Sequence, residues 1–284
     1  MKTFNLDPDF TPYGKSESFE QFTFPSGFEH HVKLPTLEPG EEVRVSTRIN
    51  SSDDVMKLLL LSDALERMKV VKKELFIPYL PYARQDRMMA QGEPVSLKVI
   101  ANLINQMGFH QVSILDAHSL GTELCIENYR AIDNSQLVQT VLETQEEYLV
   151  ISPDAGAYKK IFSLCKNIGY QDGIVSCGKV RNLDTGRIIN ITTDGTPVEG
   201  KELIIVDDIC DGGMTFILLA QKLKELGAAS VTLIVTHGIF SKGEEQLKKY
   251  VDRIYTTDSI NNISSEYITR FSIENLYNKQ LHNL

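Results

Sequence analysis

The chain reads as an α/β protein of two domains, each with a central parallel sheet flanked by helices. Three observations predict it. Short apolar strands alternate with amphipathic helices in both halves of the 284 residues. The run Leu203-Ile204-Ile205-Val206 is apolar on both faces, as an interior parallel strand requires. Glu and Gln accumulate between residues 130 and 148, which places a domain boundary there.

The first element read is a helix from Ser51, with Ser51 and Asp54 at capping-box spacing and Val55, Leu58, Leu59, Leu65 and Met68 on one face. Leu75-Phe76-Ile77 follows as a short strand. Pro81 to Gly92 is polar, holds no helical period and reads as a loop of a length usually kept for function. Leu97, Ile100, Ala101, Ile104 and Met107 mark a helix that Gly108 terminates, before the strand Val112 to Leu115. The second half opens with the strand Tyr148 to Ile151 and a helix burying Ala157, Ile161, Leu164, Cys165 and Ile168. Gly173 to Arg181 and Arg187 to Thr193 read as paired strands about a turn at Asp184-Thr185-Gly186. After the strand ending at Val206 come a helix on Phe216, Leu219, Leu223 and Leu226 and a strand from Val231 to Val235.

Composition narrows the function. The 38 acidic and 29 basic side chains give a net charge of -9. No segment gathers Lys and Arg as a phosphate backbone would require, so no nucleic-acid partner is expected. Cys125, Cys165, Cys177 and Cys210 form no Cys-x-x-Cys pair, which argues against a zinc knuckle or a disulfide framework and for a reducing cytoplasm. The first residues lack the apolar core of a signal peptide, and no run approaches the roughly 20 apolar residues that span a bilayer. A cytoplasmic protein without membrane contact is expected.

Chemistry concentrates in Val206-Asp207-Asp208-Ile209-Cys210-Asp211-Gly212-Gly213-Met214-Thr215, between a buried strand and a helix, where open α/β sheets bind ligands. Gly212 and Gly213 let backbone amides approach a phosphate, Thr215 offers a hydroxyl, and a helix amino terminus adds partial positive charge. Asp207 and Asp208 suit the vicinal hydroxyls of a ribose carrying that phosphate.

Two acidic residues, two variable ones, then Asp and a small-residue loop ending in Thr is similar to the phosphoribosyl diphosphate signature shared by type I phosphoribosyltransferases and ribose-phosphate diphosphokinases (PRPP synthetases). Pro81-Tyr82-Ala83-Arg84-Gln85-Asp86-Arg87 resembles the nucleotide loop of the diphosphokinases, which simple phosphoribosyltransferases lack. The resemblance extends over nearly the whole chain. It implies two type I phosphoribosyltransferase-like domains at 1–135 and 136–284, ATP as diphosphate donor, Mg2+ as cofactor and a homodimer or homohexamer. Arg84 and Gln85 would meet the adenine nucleotide. Leu115-Asp116-Ala117-His118 resembles the strand-end Asp-Leu-His whose His helps bind ATP-magnesium, and Ser152-Pro153-Asp154-Ala155-Gly156 the segment whose Asp serves a second magnesium. Lys179-Val180-Arg181 matches the Lys-x-Arg of the family's catalytic loop, and alternation along a strand puts both cations on one face. Phe24-Pro25-Ser26-Gly27-Phe28-Glu29 resembles the adenine-recognition segment, with Phe24 and Glu29 as the matching residues, one residue longer and without its Asp.

The resemblance implies attack by the anomeric hydroxyl of ribose 5-phosphate on the β-phosphorus of ATP, with AMP leaving. Two departures qualify it. The basic run that the family usually carries after Asp86 reads Arg87-Met88-Met89-Ala90-Gln91-Gly92, and the phosphate loop, commonly Asp-Thr-Ala-Gly-Thr, reads Asp211-Gly212-Gly213-Met214-Thr215. A phosphate monoester would miss one hydroxyl, a deficit of about 1–3 kcal/mol if nothing replaces it. ADP-ribose, whose phosphate is esterified, is therefore the alternative acceptor, in a route that rebuilds NAD. A catalytically silent regulatory relative is a further alternative, marked by loss of Lys179, Arg181, His118 or Asp154, and all four are present. A phosphoribosyltransferase would leave the Tyr82 to Arg87 loop without a task.

Overall fold

The computed structural model describes residues 1–38, 40–181, 188–262 and 265–282, with backbone alone at 180, 181, 188, 189 and 282. Two compact units emerge: Met1–Asp133 together with Ile273–Leu284, and Asn134–Ser272.

The first unit contains β1 (Lys2–Asn5), β2 (Glu20–Thr23), β3 (His30–Lys33), β4 (Glu42–Ser46), α1 (Ser52–Arg67), β5 (Lys72–Ile77), α2 (Ser96–Gln106), β6 (Gln111–Leu115), α3 (Gly121–Cys125) and β7 (Tyr129–Ile132). Strands β1, β4, β5, β6 and β7 lie side by side in that order, all parallel, while β2 and β3 form a separate antiparallel hairpin. Alternation along β5 shows why its second half, Leu75-Phe76-Ile77, is apolar on both faces. Leu75 and Ile77 join Leu58, Leu61 and Leu65 of α1 and Ile100 and Ile104 of α2 in one core, whereas Phe76 points to the opposite face, against Phe10, Leu115 and Ile132. That second face is closed by the last helix, Ile273–His282, through Ile273, Tyr277 and Leu281. The second domain was expected to run to residue 284. A helical period reveals a buried stripe but not which sheet covers it, and this helix serves the first.

Ser51 starts α1 as expected: its hydroxyl accepts from the Asp54 amide at 3.4 Å, and the Asp54 carboxylate accepts from the Ser51 amide at 2.9 Å. Gly108 follows the end of α2 with φ +62°, a conformation that glycine adopts without strain.

The second unit contains α4 (Ser135–Leu142), β8 (Tyr148–Ser152), α5 (Ala155–Asn167), β9 (Ile174–Arg181), β10 (Ile188–Thr193), β11 (Glu202–Cys210), α6 (Met214–Glu225), β12 (Ser230–Gly238), a 3-10 turn (Leu247–Lys249), β13 (Arg253–Thr257) and β14 (Ile268–Phe271). Its sheet runs β10-β9-β8-β11-β12-β13-β14, parallel except between β9 and β10. The expected turn at Asp184-Thr185-Gly186 lies outside the described residues. Strand β11 continues past Val206 to Cys210, because β12 is equally long and pairs with it as far as Cys210 opposite Gly238. Asp207 and Asp208 therefore stand on a strand, and the connection to α6 shrinks to Asp211-Gly212-Gly213.

From β8 the chain first builds outward through β9 and β10, then returns to β8's other edge with β11 and builds the opposite way. The carboxyl ends of β8 and β11 thus flank the point where strand order reverses, the crevice in which open parallel sheets bind ligands.

Candidate active site

The residues after β8 and β11 converge at that crevice. Asp154 caps α5, its Oδ1 accepting from the Ala157 amide at 2.9 Å. Its Oδ2 meets the ammonium of Lys179, from β9, at 2.7 Å. Two residues singled out separately, one for metal and one for catalysis, are thus partners. Partial burial acts to raise the Asp154 pKa, yet Lys179 and the amides of Ala157 and Gly156 hold it below the usual carboxylate value. A hollow of about 340 Å3 opens beside this turn, lined by Ala155, Tyr158, Ile174, Ser176 and Asp194. Arg181 is the last residue of β9; its side chain lies outside the described residues.

On β11, Asp208 is buried and its carboxylate lies 3.8 Å from the ammonium of Lys160, on α5. Asp207 accepts from the Asp208 amide at 2.9 Å. Burial first, then the adjacent Asp208 carboxylate, push the Asp207 carboxyl up to about 8. Two neighbouring acidic side chains at the end of β11 suit a cation or a pair of sugar hydroxyls. Magnesium fits this chemistry, since hard cations prefer carboxylate oxygen. Among the described residues no three His, Cys, Asp or Glu side chains form a cage. Such an ion would complete its shell with substrate oxygens and water, the usual habit of magnesium.

The cradle follows. Gly213 occupies the left-handed region at φ +76° and begins α6 without a side-chain cap, so the first amides of the helix are directed at whatever lies in the loop. A Cβ on Gly213 would sit 3.2 Å from Leu247. Met214 is exposed at the start of the helix, with Thr215 half-buried behind it and no acidic side chain in the first turn. The loop after β12 locks onto the cradle: the amides of Ile239 and Phe240 donate to the Cys210 carbonyl, and the Ser241 amide donates to that of Asp211 at 3.1 Å. Lys160 and this loop had escaped the sequence reading, since neither carries a motif. All four cysteines are free, and burial pushes the Cys177 and Cys210 thiols up to about 12, far from reactivity.

In the first unit, the stretch from Pro81 to Gly92 is a loop without helix or strand. Tyr82 turns it at φ +65°, Ala83 is buried, and Arg84 and Gln85 are exposed. The Gln85 side chain accepts from the Ser96 hydroxyl at 2.5 Å, and the Asp86 carboxylate accepts from that of Ser119 at 2.6 Å. Ser119 follows the turn after β6 that exposes His118, where Asp116 adopts φ +46°. Arg84, Gln85 and His118 are thereby held by loops tied to each other. Phe24 and Glu29 lie elsewhere, closing the β2–β3 hairpin with the Phe24 amide on the Glu29 carbonyl at 2.8 Å. That hairpin packs on α1, with His30 3.7 Å from Asp53.

Comparison with known proteins adds three findings. Residues 29–108 match the model of the N-terminal domain of ribose phosphate pyrophosphokinase, and residues 136–269 that of the phosphoribosyl transferase domain. A ribose-phosphate pyrophosphokinase of Hyphomonas neptunium is 34% identical over 82% of this chain and 76% of its own, and one of Pyrococcus abyssi is 29% identical over 90% and 89%. The crystal structure of phosphoribosylpyrophosphate synthetase from Mycobacterium smegmatis superposes with a TM-score of 0.85 at 21% identity, covering 99% of this chain and 98% of that one, which shows the shared fold.

Proposed function

The chain belongs to the ribose-phosphate pyrophosphokinase family, a family of transferases, and on that premise we propose that it moves the β,γ-diphosphate of Mg-ATP to the 1-hydroxyl of ribose 5-phosphate, giving phosphoribosyl diphosphate and AMP. The observation that carries this reading is the Lys179–Asp154 pair, set at the strand reversal beside Asp207, Asp208 and an uncapped helix start.

Each residue then has a task. Amides of Gly212 to Thr215 hold the 5-phosphate while Asp207 and Asp208 accept from the ribose hydroxyls, which fixes the anomeric oxygen. Arg84, Gln85, Phe24 and Glu29 hold the adenine nucleotide. Negative charge grows between attacking and leaving oxygens, and Lys179 with Arg181 neutralises it. His118 would hold magnesium with the ATP and Asp154 a second magnesium, and the metal would supply charge neutralisation on phosphate oxygens when bound. The protein acts on small molecules in the cytoplasm as a homodimer or homohexamer. No described helix is long and apolar enough to cross a membrane.

ADP-ribose is the second reading, favoured by the glycine pair Gly212-Gly213, which brings no hydroxyl to a phosphate monoester, beside an exposed Met214. A silent regulatory role has less support, because the Lys179–Asp154 pair is intact. Purified protein incubated with Mg-ATP and either sugar tests the proposal by AMP release. Release with ribose 5-phosphate supports it, and none with either acceptor removes it.

A further inference from the structure

The cradle has one hydroxyl of its own, on Thr215, and no cationic side chain between Asp211 and Thr215. A second loop supplies both. After β12 the chain turns at Phe240 (φ +49°) and at Gly243 (φ +72°), with the Gly243 amide on the Phe240 carbonyl at 2.8 Å. This turn brings Ser241 and Lys242 against Gly212: a Cβ built on Gly212 would lie 3.6 Å from Cγ of Lys242 and 4.0 Å from the Ser241 hydroxyl. The space left free by the missing side chain is therefore bounded by a lysine stem and a hydroxyl.

The position is fixed by backbone. Ser241 donates its amide to Asp211, and beyond the turn Glu244 accepts from Lys248 at 2.6 Å and from the Ser265 hydroxyl at 2.7 Å. Lys248 and Lys249 are engaged by Glu244, Glu245 and Gln246, whereas the Lys242 ammonium makes no hydrogen bond or ion pair among the described residues. A lysine whose stem rests on an anion cradle, and whose charge has no protein partner, is available to the anion.

We propose that Lys242 and Ser241 complete the phosphate cradle of Gly212 to Thr215, and that they make the site selective for an acceptor with a terminal phosphate monoester. A monoester dianion has three unesterified oxygens, enough to face the α6 amides, Thr215 and the second loop together. An internal diphosphate such as that of ADP-ribose has an anhydride bridge where one of those oxygens would be. The inference rests on the proposed diphosphokinase reading and chooses between its two acceptors.

The test uses the full chain, with K242A, K242R and S241A, and K249A as a control for net charge. In steady-state AMP release, K242A raises the KM for ribose 5-phosphate about tenfold, the size of one lost charge-assisted contact, with a smaller change in kcat and an unchanged KM for ATP. K242R restores most of it, S241A gives a smaller rise, and K249A gives none. An unchanged KM for ribose 5-phosphate in K242A, or an equal rise in K249A, overturns the proposal, as does wild-type enzyme that prefers ADP-ribose. If neither sugar supports AMP release, the diphosphokinase reading falls by itself. Calorimetric titration of ribose 5-phosphate then decides the cradle: weaker binding to K242A than to wild type upholds it, and equal binding overturns it.

Discussion

The ammonium of Lys179 stands 2.7 Å from the carboxylate of Asp154, joining the strand β9 to the first turn of α5 in one ion pair. The lysine is the more buried member, at 9% side-chain exposure against 37%. Removing the carboxylate would strand a buried cation, whereas removing the lysine leaves an N-cap still bound to its helix amide. The two changes should therefore differ in kind.

K179A is expected to keep its fold and to lose AMP release by roughly 100- to 1000-fold, the usual cost of one charge-stabilising group in a transfer reaction. D154A should lose activity and also stability, by about 1–2 kcal/mol for the lost cap. Thermal melts beside turnover assays separate the two.

Acid should expose the same pair. The Asp154 carboxyl is held below its ordinary pKa, so its contribution is present above the unfolded value and fades as pH falls through the lower, folded one. Melting temperature followed down from neutrality should drop less steeply in D154N than in wild type. Parallel curves would count against the pair.

Asp207 predicts the opposite slope. Its folded pKa is raised, so the folded state keeps a proton that the unfolded chain has released, and stability falls as pH climbs toward about 8. D207N should melt higher than wild type at pH 8, with little difference at pH 4, and should lose affinity for ribose 5-phosphate. A lower melting point at pH 8 would refute this.

Gly213 combines a left-handed φ of +76° with Leu247 at 3.2 Å from any added Cβ. G213A should cost about 1–2 kcal/mol from backbone strain alone. It should also weaken ribose 5-phosphate binding by tilting the α6 amides. Adding L247A removes the contact but not the strain, so the double variant should recover part of the binding loss in calorimetry.

Ser119 ties the loop carrying Arg84 to the turn carrying His118 through Asp86. S119A should release that loop at a cost of about 1 kcal/mol, roughly a fivefold rise in the KM for ATP, and leave the KM for ribose 5-phosphate alone. A change confined to the sugar would contradict the assignment.

Both units could be read from the sequence where burial is two-sided or punctuated. Leu203 to Val206, the Ser51 capping box and Gly108 each encode their structure locally. The glycine turn before α6 was also legible, because its glycines and the helix start are adjacent in the chain. Lys160 and Lys242 were not: each reaches the site across the fold, by pairing with Asp208 or packing on Gly212, and a lone lysine on an amphipathic helix or a polar loop has no periodicity to betray it. The extension of β11 to Cys210 depended on the length of β12, which lies a helix away in sequence.

Helix Ile273–His282 has a consequence for the order of events at the ribosome. Phe76, Leu115 and Ile132 are translated early, yet Ile273, Tyr277 and Leu281, which close their face, arrive more than a hundred residues later. The second unit, Asn134–Ser272, is contiguous and can finish first, while the first waits with an apolar face open to chaperones and to other nascent chains. Loss of the last turns of this chain would thus harm the domain at its beginning, and a nonsense codon near residue 272 should yield a product whose second unit is sound and whose first aggregates.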